Sequence, residues 1–380
     1  MADAITWETL RDLAGFRAAK GCALSVYLSL DPSDVPTPAG AQTRMHSVLD
    51  DANRQLLERR SSLGHAEREA LKGDLERLRS WFEFEFDRDG ARGLAVFAAG
   101  LDNLWQQLRL PEPVSDRARL DRELFLTPLV PLVGRYEGAL VGYVGRERAD
   151  LYTLRNGRLV EIADQTEEVP GQHDQGGWSQ ARYERHIEAI VARHLSEVGR
   201  TLDAAGRRTR GVPIVLIGAE EVRSEFEDLL AHETRVRVVG WTTVEAHADA
   251  ARLLEAALPL LNDWCVRRDA ALLDRWREEA GRNGRAVAGW DATLEAASDG
   301  RVELLLMQAG VEWEAYRCPA CGRAQSTDAP CPLDGTTMEP CAVGLDLAVH
   351  QTLNHGGTVR VIDDRRDLEP VGGVAALLRF

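Results

Sequence analysis

A glycine pair followed by a polar segment is the first place in this chain where residue types and spacing could do chemistry. Gly176 and Gly177 precede Trp178, Ser179 and Gln180. Glycine adopts backbone angles that other residues avoid, and it lets exposed backbone amides approach a ligand closely. The segment therefore predicts a flexible loop that presents a polar tip to a ligand. The alternative interpretation is a surface loop with two turn glycines.

A cluster of cysteines is the second such place. Four of the six cysteines, Cys318, Cys321, Cys331 and Cys341, fall in one short segment. In a cytosolic chain, such a cluster indicates metal binding before disulfides. Cys318 and Cys321 are two residues apart and are followed by a glycine, which is the pattern of a zinc knuckle.

The sequence offers two candidates for the fourth ligand of this metal site. Cys331 begins a run of the same shape, in which Asp334 stands where a fourth cysteine would fall. Cys341 offers another thiolate, and zinc accepts both sulfur and carboxylate oxygen. We predict a structural Zn²⁺ ribbon, since a thiolate-rich knuckle without histidine would be closed to water. The alternative is a relic knuckle that has lost a ligand and is held by packing.

The residues after the glycine pair predict an amphipathic helix that positions the polar segment. Apolar residues recur there at spacings of three and four. They are Tyr183, Ile187, Ile190, Val191, Leu195 and Val198. Ser179 is the predicted N-cap, because its hydroxyl can accept a hydrogen bond from a free amide of the first turn. A rigid helix would then carry the loop at its N-terminus.

The region from about 128 to 265 around this helix predicts a mixed α/β domain. Asn156-Gly157 is a strong hairpin signal, and a helix is expected near 222–230. Short apolar or alternating runs predict strands at 137–144, 148–154, 158–162, 213–218 and 235–239. A strand meander followed by helices that alternate with buried strands gives a layered α/β architecture.

The flanking regions predict two further domains. Residues 1–127 contain a half-buried strand at 23–30, a helical hairpin over 42–86 and a buried strand at 93–99. In residues 266–380, which follow a helical segment at about 248–280, helices at 290–297 and 345–353 alternate with strands at 302–307 and 358–362. We therefore expect an N-terminal α+β domain, a middle α/β domain and a C-terminal α/β sandwich with the zinc ribbon as an insert.

Charge and hydropathy exclude some classes of function. The net charge of −15 argues against a simple electrostatic coat on nucleic acid, and no DNA partner is expected. RNA contact through local patches stays open, because Arg182, Arg185 and Arg193 lie near one helix. The sequence shows neither a signal peptide nor an apolar run that could cross a bilayer. We therefore expect a cytoplasmic protein without a membrane partner.

Three features in one order resemble a known family. They are the glycine pair that opens a helix, the cysteine knuckle in the last domain, and the ending Gly372-Gly373-Val374-Ala375-Ala376-Leu377-Leu378-Arg379-Phe380. Residues 128–380 thereby resemble the archaeal and eukaryotic class-I peptide chain release factors and their bacterial relatives. Those relatives include the Vms-type peptidyl-tRNA hydrolases, with Pelota and the Balon-type hibernation factors further off.

This resemblance implies a fold, a site and partners. The middle domain would be RNase H-like, and the C-terminal domain would be like certain ribosomal proteins. The partners would be the large ribosomal subunit at its A site, peptidyl-tRNA and a translational GTPase. Gly176, Gly177 and Gln180 would be catalytic. The RNA-binding residues would be Trp178, Ser179, Arg182 and Arg185.

The resemblance leaves two main hypotheses. Trp178 stands where release factors carry glutamine, and Gln180 follows two places later, as in the Vms-type hydrolases. The first hypothesis is hydrolysis of peptidyl-tRNA in ribosome rescue or quality control, without stop-codon reading, because the N-terminal region lacks the Asn-Ile-Lys-Ser motif. The alternative is a non-catalytic A-site binding factor, in hibernation or Pelota-like rescue, with Trp178 stacked on a base. A third and weaker hypothesis is a metal nuclease, for which Asp150 is the one good carboxylate.

Overall fold

The computed structural model describes residues 5–133, 135, 136, 138–155, 157–166, 178–209, 211–245, 247–282, 284–341, 343–363 and 365–380. The chain is a mixed α/β protein with several sheets, as predicted. It divides into two compact units. One is Arg135–Asp269, and the other joins Met1–Gly134 with Ala270–Phe380. The predicted separation of the latter unit into N- and C-terminal domains stays a prediction.

The N-terminal part of the larger unit is an antiparallel sheet with a helical hairpin. Its strands lie in the order β3-β2-β1-β4. The predicted hairpin is confirmed as α2 and α3, whose apolar faces pack on the sheet. The elements are α1 (Trp7–Ala14), β1 (Ala23–Ser29), α2 (Pro38–Glu58), α3 (His65–Phe84), β2 (Gly93–Ala99), β3 (Leu104–Leu110) and β4 (Arg117–Asp121).

The prediction that the first strand is half-buried is wrong. All seven residues of β1 are buried. Its alternation comes from two serines, and the hydroxyl of Ser25 accepts a hydrogen bond from the amide of Phe125 at 3.0 Å instead of facing water. Tyr27, on the same face as Ser25, packs in a core that includes residues from the C-terminal part of the same unit. A distant segment therefore covers the face that the sequence left open to solvent.

The smaller unit is a five-stranded sheet. The strand order is β7-β6-β5-β8-β9; β5, β6 and β7 are antiparallel, and β8 and β9 continue parallel to β5. This confirms the predicted meander followed by helices and buried strands. The elements are β5 (Leu140–Val144), β6 (Arg148–Arg155), β7 (Arg158–Thr166), α4 (Trp178–Arg208), β8 (Ile214–Ile217), α5 (Glu220–Leu229), α6 (His232–Arg235), β9 (Val238–Thr242) and α7 (Ala250–Gly281).

Two long helices cover the two faces of this sheet. Leu195 and Leu202 of α4 are fully buried against β5, β6 and β8. Leu253 and Leu261 of α7 are buried on the opposite face. Because both faces are covered, β8 is buried at all four positions, as its wholly apolar sequence predicts. The unit is thus a three-layer α/β arrangement.

The C-terminal part of the larger unit combines a four-stranded sheet, β10-β16-β11-β15, with a small sheet, β13-β12-β14. Strand β16, near the end of the chain, lies inside the larger sheet and is buried at all five positions. The elements are β10 (Ala286–Ala288), α8 (Trp290–Ser298), β11 (Val302–Gln308), β12 (Ala315–Arg317), β13 (Ala324–Gln325), β14 (Glu339–Cys341), α9 (Gly344–Asn354), β15 (Thr358–Ile362) and β16 (Val374–Leu378).

A buried carboxylate ties α9 to the N-terminal part of the same unit. Oδ1 of Asp346 accepts hydrogen bonds from the amides of Leu126 and Thr127 at 2.9 and 2.8 Å. It also accepts one from the Thr127 hydroxyl at 2.7 Å. On folding, these amides lose their hydrogen bonds to water, and the carboxylate of Asp346 replaces them. Asp346 therefore fixes the segment that follows β4.

His350, one turn along α9, extends this contact. Its Nδ1 lies 3.2 Å from the carbonyl oxygen of Ala14, and its Nε2 lies 2.7 Å from that of Leu124 and 3.4 Å from Oδ2 of Asp346. Burial by itself lowers the pKa of His350, but hydrogen bonding and attraction to Asp346, with the two carbonyls, outweigh burial and raise the pKa above 6.5. With acceptors at both ring nitrogens, the protonated imidazole fits this position.

This geometry predicts a pH-dependent stability. Because the folded pKa of His350 is raised, its contribution is fully present below about pH 6.5 and is lost as the pH rises through the folded pKa. We expect the free energy of unfolding to fall over that window in a urea titration series. His350→Gln should remove this part of the pH dependence and lower stability by about 3 kcal/mol at low pH, since it leaves Asp346 buried without its partner. His232→Gln, at an exposed site, is the matched control. An unchanged pH slope in His350→Gln would contradict the assignment.

Candidate functional site

The two halves of the cysteine segment fold into turns with the same backbone hydrogen bonds. In the first, the amide of Cys318 donates to the carbonyl of Arg323 at 2.8 Å, and the amide of Gly322 donates to the carbonyl of Cys318 at 2.9 Å. The second turn repeats both bonds from Cys331, at 2.9 and 2.8 Å. Gly322 and Gly335 both have positive φ, +79° and +74°. Glycine is therefore required at the same place in each turn.

These turns bring four potential ligands together. The ligand atoms of Cys318, Cys321, Cys331 and Asp334 all lie within 4.8 Å of one another. Sγ of Cys321 is 3.5 Å from Sγ of Cys331, and Oδ2 of Asp334 is 3.5 Å from Sγ of Cys318. Zn–S bonds of about 2.3 Å in a tetrahedron place two sulfurs about 3.8 Å apart. The donor set and its spacing therefore fit a tetrahedral zinc ion.

A hydrogen bond from the backbone favours the ionised form of the Asp334 carboxylate. The amide of Thr336 donates to its Oδ1 at 2.9 Å. This hydrogen bond holds the pKa of Asp334 well below its usual range. A carboxylate that stays ionised adds a negative charge to the thiolates, which a divalent cation would neutralise. Among the described residues, this is the only group of three or more such ligands.

Cys341, the other candidate for the fourth ligand, does not belong to the group. It lies in β14, where it pairs with Ala315 of β12. Its side chain lines a separate cavity of about 40 Å³ with Arg119, Asp121 and Glu123. Burial raises the pKa of the Cys341 thiol to about 11. Because the ligand atoms of the other three cysteines converge with Asp334 and not with Cys341, the geometry favours Asp334 as the fourth ligand.

The glycine pair lies outside the described residues, and α4 begins directly after it at Trp178. Ser179 is therefore in the first turn and not at the predicted N-cap. Gln180 and Arg182 are also helical positions. Arg185, one turn further on, is exposed. The structure thus places these residue positions together at one end of a single 31-residue helix.

Packing of α4 against its sheet begins well after this end. Between Arg185 and Ile190, every side chain is exposed or half-buried, and the first buried one is Val191. From Trp178 to Val191 a helix rises about 20 Å at 1.5 Å per residue. Over its described part, the start of the helix is therefore not enclosed by the core of its own unit.

The far end of α4 is held by a residue that sequence reasoning missed. Arg237 donates from Nη1 to the carbonyl of Gly206 at 2.6 Å and from Nη2 to that of Thr209 at 2.5 Å. Its Nε donates to the carbonyl of Val212 at 2.9 Å. These carbonyls close the C-terminus of the helix, where backbone acceptors lack intrahelical partners. No local sequence signal identifies this contact, because Arg237 follows the helix by about thirty residues.

Several release-factor proteins are similar to this chain in sequence. Residues 125–260, which contain the glycine pair and α4, match the family model described as bacterial archaeo-eukaryotic release factor family 10. Peptide chain release factor subunit 1 of Archaeoglobus fulgidus is 27% identical over 297 residues, covering 71% of this chain and 72% of the relative. The Thermoplasma acidophilum protein of the same name is 26% identical over 298 residues, covering 71% and 70%. In sequence, the chain is therefore similar to release-factor-like proteins.

Solved structures of release-factor-like proteins are similar at a lower level. A crystal structure of an archaeal translation termination factor covers 99% of both chains at 17% identity, with a TM-score of 0.28. Pelota of Archaeoglobus fulgidus covers 78% of this chain and 82% of its own at 15% identity, with a TM-score of 0.35. The similarity to release-factor-like proteins therefore rests on the sequence matches.

In this release-factor-like chain, the carboxylate considered for metal nuclease chemistry is engaged elsewhere. Asp150 is buried in β6, and its Oδ2 lies 2.7 Å from Nη2 of Arg148. Within the described residues, Asp150 belongs to no group of three or more potential metal ligands. Two-metal hydrolysis needs several carboxylates around the ions. The described geometry therefore gives the nuclease hypothesis no support.

A matched pair of serine variants tests the metal centre. We expect the wild-type protein to purify with about one equivalent of zinc and Cys331→Ser to lose it, because this variant removes one of four converging ligands. Cys341→Ser should retain about one equivalent, since that thiol lies outside the group. Elemental analysis together with a colorimetric zinc-release assay would measure both.

Loss of zinc in Cys341→Ser would assign the fourth ligand to Cys341 and contradict the geometry. Asp334→Ala provides an independent check, since it should weaken zinc retention without removing a thiol. None of the described helices combines the length and apolarity needed to cross a bilayer.

Proposed function

We propose that this chain associates with ribosomes and hydrolyses the ester of peptidyl-tRNA without reading a stop codon, in ribosome rescue or quality control. The observation that carries the proposal is the position of α4. It starts at Trp178, directly after Gly176 and Gly177, inside the segment that matches the release-factor family. The names of the relatives support translation as the process, since both archaeal proteins are called peptide chain release factors.

The fold of the smaller unit supports the same proposal. An antiparallel meander, β5 to β7, is extended by the parallel strands β8 and β9. This arrangement is consistent with the RNase H-like middle domain that the resemblance implies. Among the described side chains of α4, those nearest the glycine pair, Arg185 and His186, are exposed, which leaves that part of the helix open to contact with another molecule.

The chemistry would depend on Gln180. The bond to be broken joins the nascent peptide to the terminal adenosine of the tRNA. A backbone amide of the glycine-rich segment would donate to the developing oxyanion, and the Gln180 side chain would orient the attacking water. A hydroxyl of the tRNA itself would relay the proton, so the protein need not supply a strong general base.

Neighbouring residues would bind RNA around the ester. Trp178 would stack on a base, which is worth about 1–3 kcal/mol. Arg182 and Arg185 would contact phosphates by charge-assisted hydrogen bonds, and Ser179 would add a neutral one. The partners would be the large ribosomal subunit at the A site, peptidyl-tRNA and a translational GTPase. Cys318, Cys321, Cys331 and Asp334 would hold a structural Zn²⁺, which stabilises the small sheet and takes no part in the reaction.

Peptide release from programmed ribosomes tests the role of Gln180. We expect the wild-type protein to release peptide from stalled peptidyl-tRNA at a rate that does not depend on the A-site codon. Gln180→Ala should lower that rate by about two to three orders of magnitude while ribosome binding is retained, since one positioned polar group is lost. Gln175→Ala is the matched control, because it removes a glutamine from the other side of the glycine pair.

The remaining outcomes separate the alternatives. Equal release by wild type and Gln180→Ala would remove Gln180 from the mechanism. Ribosome binding without release by either protein would support the non-catalytic A-site factor, which Trp178 in the glutamine position of release factors favours. In that case, Trp178→Ala should weaken ribosome binding by roughly 5- to 150-fold, the equivalent of one lost stacking contact.

A further inference from the structure

The outer face of α4 carries three arginines in a straight line. Arg193, Arg200 and Arg207 follow one another at intervals of seven residues, and all three are exposed. Seven residues make almost two helical turns, so the line drifts by only about 20° at each step. We call these three residues the arginine line. It extends over roughly 21 Å of the helix, with about 10.5 Å between neighbouring members.

The arginine line lies opposite the buried face of the helix. Nine residues correspond to two and a half turns, which places two positions on opposite faces. Each arginine has a buried apolar residue nine positions away: Arg193 with Leu202, Arg200 with Val191, and Arg207 with Val198. Because these apolar residues pack on the sheet, the arginine line points away from the unit.

The surroundings of the arginine line keep it accessible to a large ligand. Small residues lie between the arginines along the same face, namely Ser196 and Ala204. A groove of about 390 Å³ runs beside it between α4 and β7, with Ile162 and Ala163 on the strand side. Arg208 adds a further positive charge to the rim of this groove.

Two exposed acidic residues lie near the arginine line. Nη1 of Arg207 lies 3.7 Å from Oε1 of Glu233, but these side chains are 58% and 65% exposed. A salt bridge at such an exposed site is readily exchanged for another partner. Glu197, between Arg193 and Arg200, is also exposed. Asp203 is buried, and its carboxylate accepts hydrogen bonds from the amide of Ala231. The face thus keeps an excess of positive charge in a chain whose net charge is −15.

We propose that the arginine line binds the phosphodiester backbone of RNA. Evenly spaced charges over about 21 Å match a linear polyanion, whereas a compact acidic patch on a protein would need the charges gathered together. The guanidinium fork binds phosphate oxygens in bidentate fashion and is always charged. Phosphate contacts of this kind fix position and orientation without reading sequence.

The identity of that RNA rests on the proposed function. One helix carries both the arginine line and, at its N-terminus, the segment with Trp178 and Gln180. Phosphate binding at the arginine line would therefore set the position of the segment with Trp178 and Gln180 along the same RNA. The stem of the tRNA that bears the ester is the ligand that fits this arrangement. The arginines would act as positioning residues, not as catalytic ones.

RNA binding measured at several salt concentrations tests the proposal. The probes are deacylated tRNA and a blunt RNA duplex, each labelled for fluorescence anisotropy. We expect the triple variant Arg193→Gln, Arg200→Gln, Arg207→Gln to lower affinity at least tenfold near physiological salt. The slope of log affinity against log salt should fall by about two to three, since each lost phosphate contact contributes about 0.7–0.9.

Matched variants separate this site from a general charge effect. Arg223→Gln, Arg252→Gln and Arg267→Gln together remove the same charge from α5 and α7 and should leave RNA affinity within about twofold of wild type, because non-contacting charges act only through the screened overall field. Glu197→Gln should strengthen RNA binding a few-fold, because it removes an exposed negative charge beside the arginine line. Circular dichroism and thermal unfolding would show that each variant is folded.

Three results would overturn the proposal. One is an unchanged affinity and salt slope in the triple variant, and another is an equal loss in the control variant. The third is normal RNA binding by the triple variant with lost ribosome association, which would assign the face to a protein partner. Failure of the proposed function is distinguishable from these, because Gln180→Ala should bind RNA like wild type. If the wild-type protein binds RNA through the arginine line but releases no peptide, the proposed hydrolysis is refuted and the RNA-binding proposal stands.

Discussion

Burial of one face of α4 against its sheet is the interaction on which the rest of the functional architecture depends. Val191, Leu195, Val198 and Leu202 are at most 5% exposed. Burying side chains of this size contributes roughly 1.5–3 kcal/mol each, which is enough to hold a long helix whose other faces are polar. These four side chains form one buried stripe along the helix. The same stripe fixes the direction of the arginines on the opposite face.

Local patterns predicted the elements that depend on local chemistry. The spacing of apolar residues predicted α4, the hairpin signal near Gly157 predicted the β6–β7 turn, and the paired knuckles predicted converging metal ligands. In each case the determining residues are neighbours in sequence, so spacing and residue type carry the information.

Features that depend on distant segments could not be predicted in the same way. Ser25 looked like the solvent-facing residue of an alternating strand, but a segment about a hundred residues away covers it. Asp334 and Cys341 were equal candidates for the fourth ligand until the small sheet placed Cys341 in β14. The predicted strand at 235–239 begins at Val238, because α6 occupies His232–Arg235 and Asp203 of α4 accepts from the amide of Ala231 just before it. Tertiary contacts overrode local propensity in each case.

The reacting residues and the RNA-binding arginines would occupy different parts of α4. Glycine gives the backbone access to a confined site, but its conformational freedom must be removed on binding. A 31-residue helix, which Arg237 caps at its far end and which packs on the sheet along its middle, fixes the backbone from Trp178 onward. RNA contacts along the outer face would complete this division, since they would fix the helix relative to the reacting ester while the glycine pair makes the last adjustment.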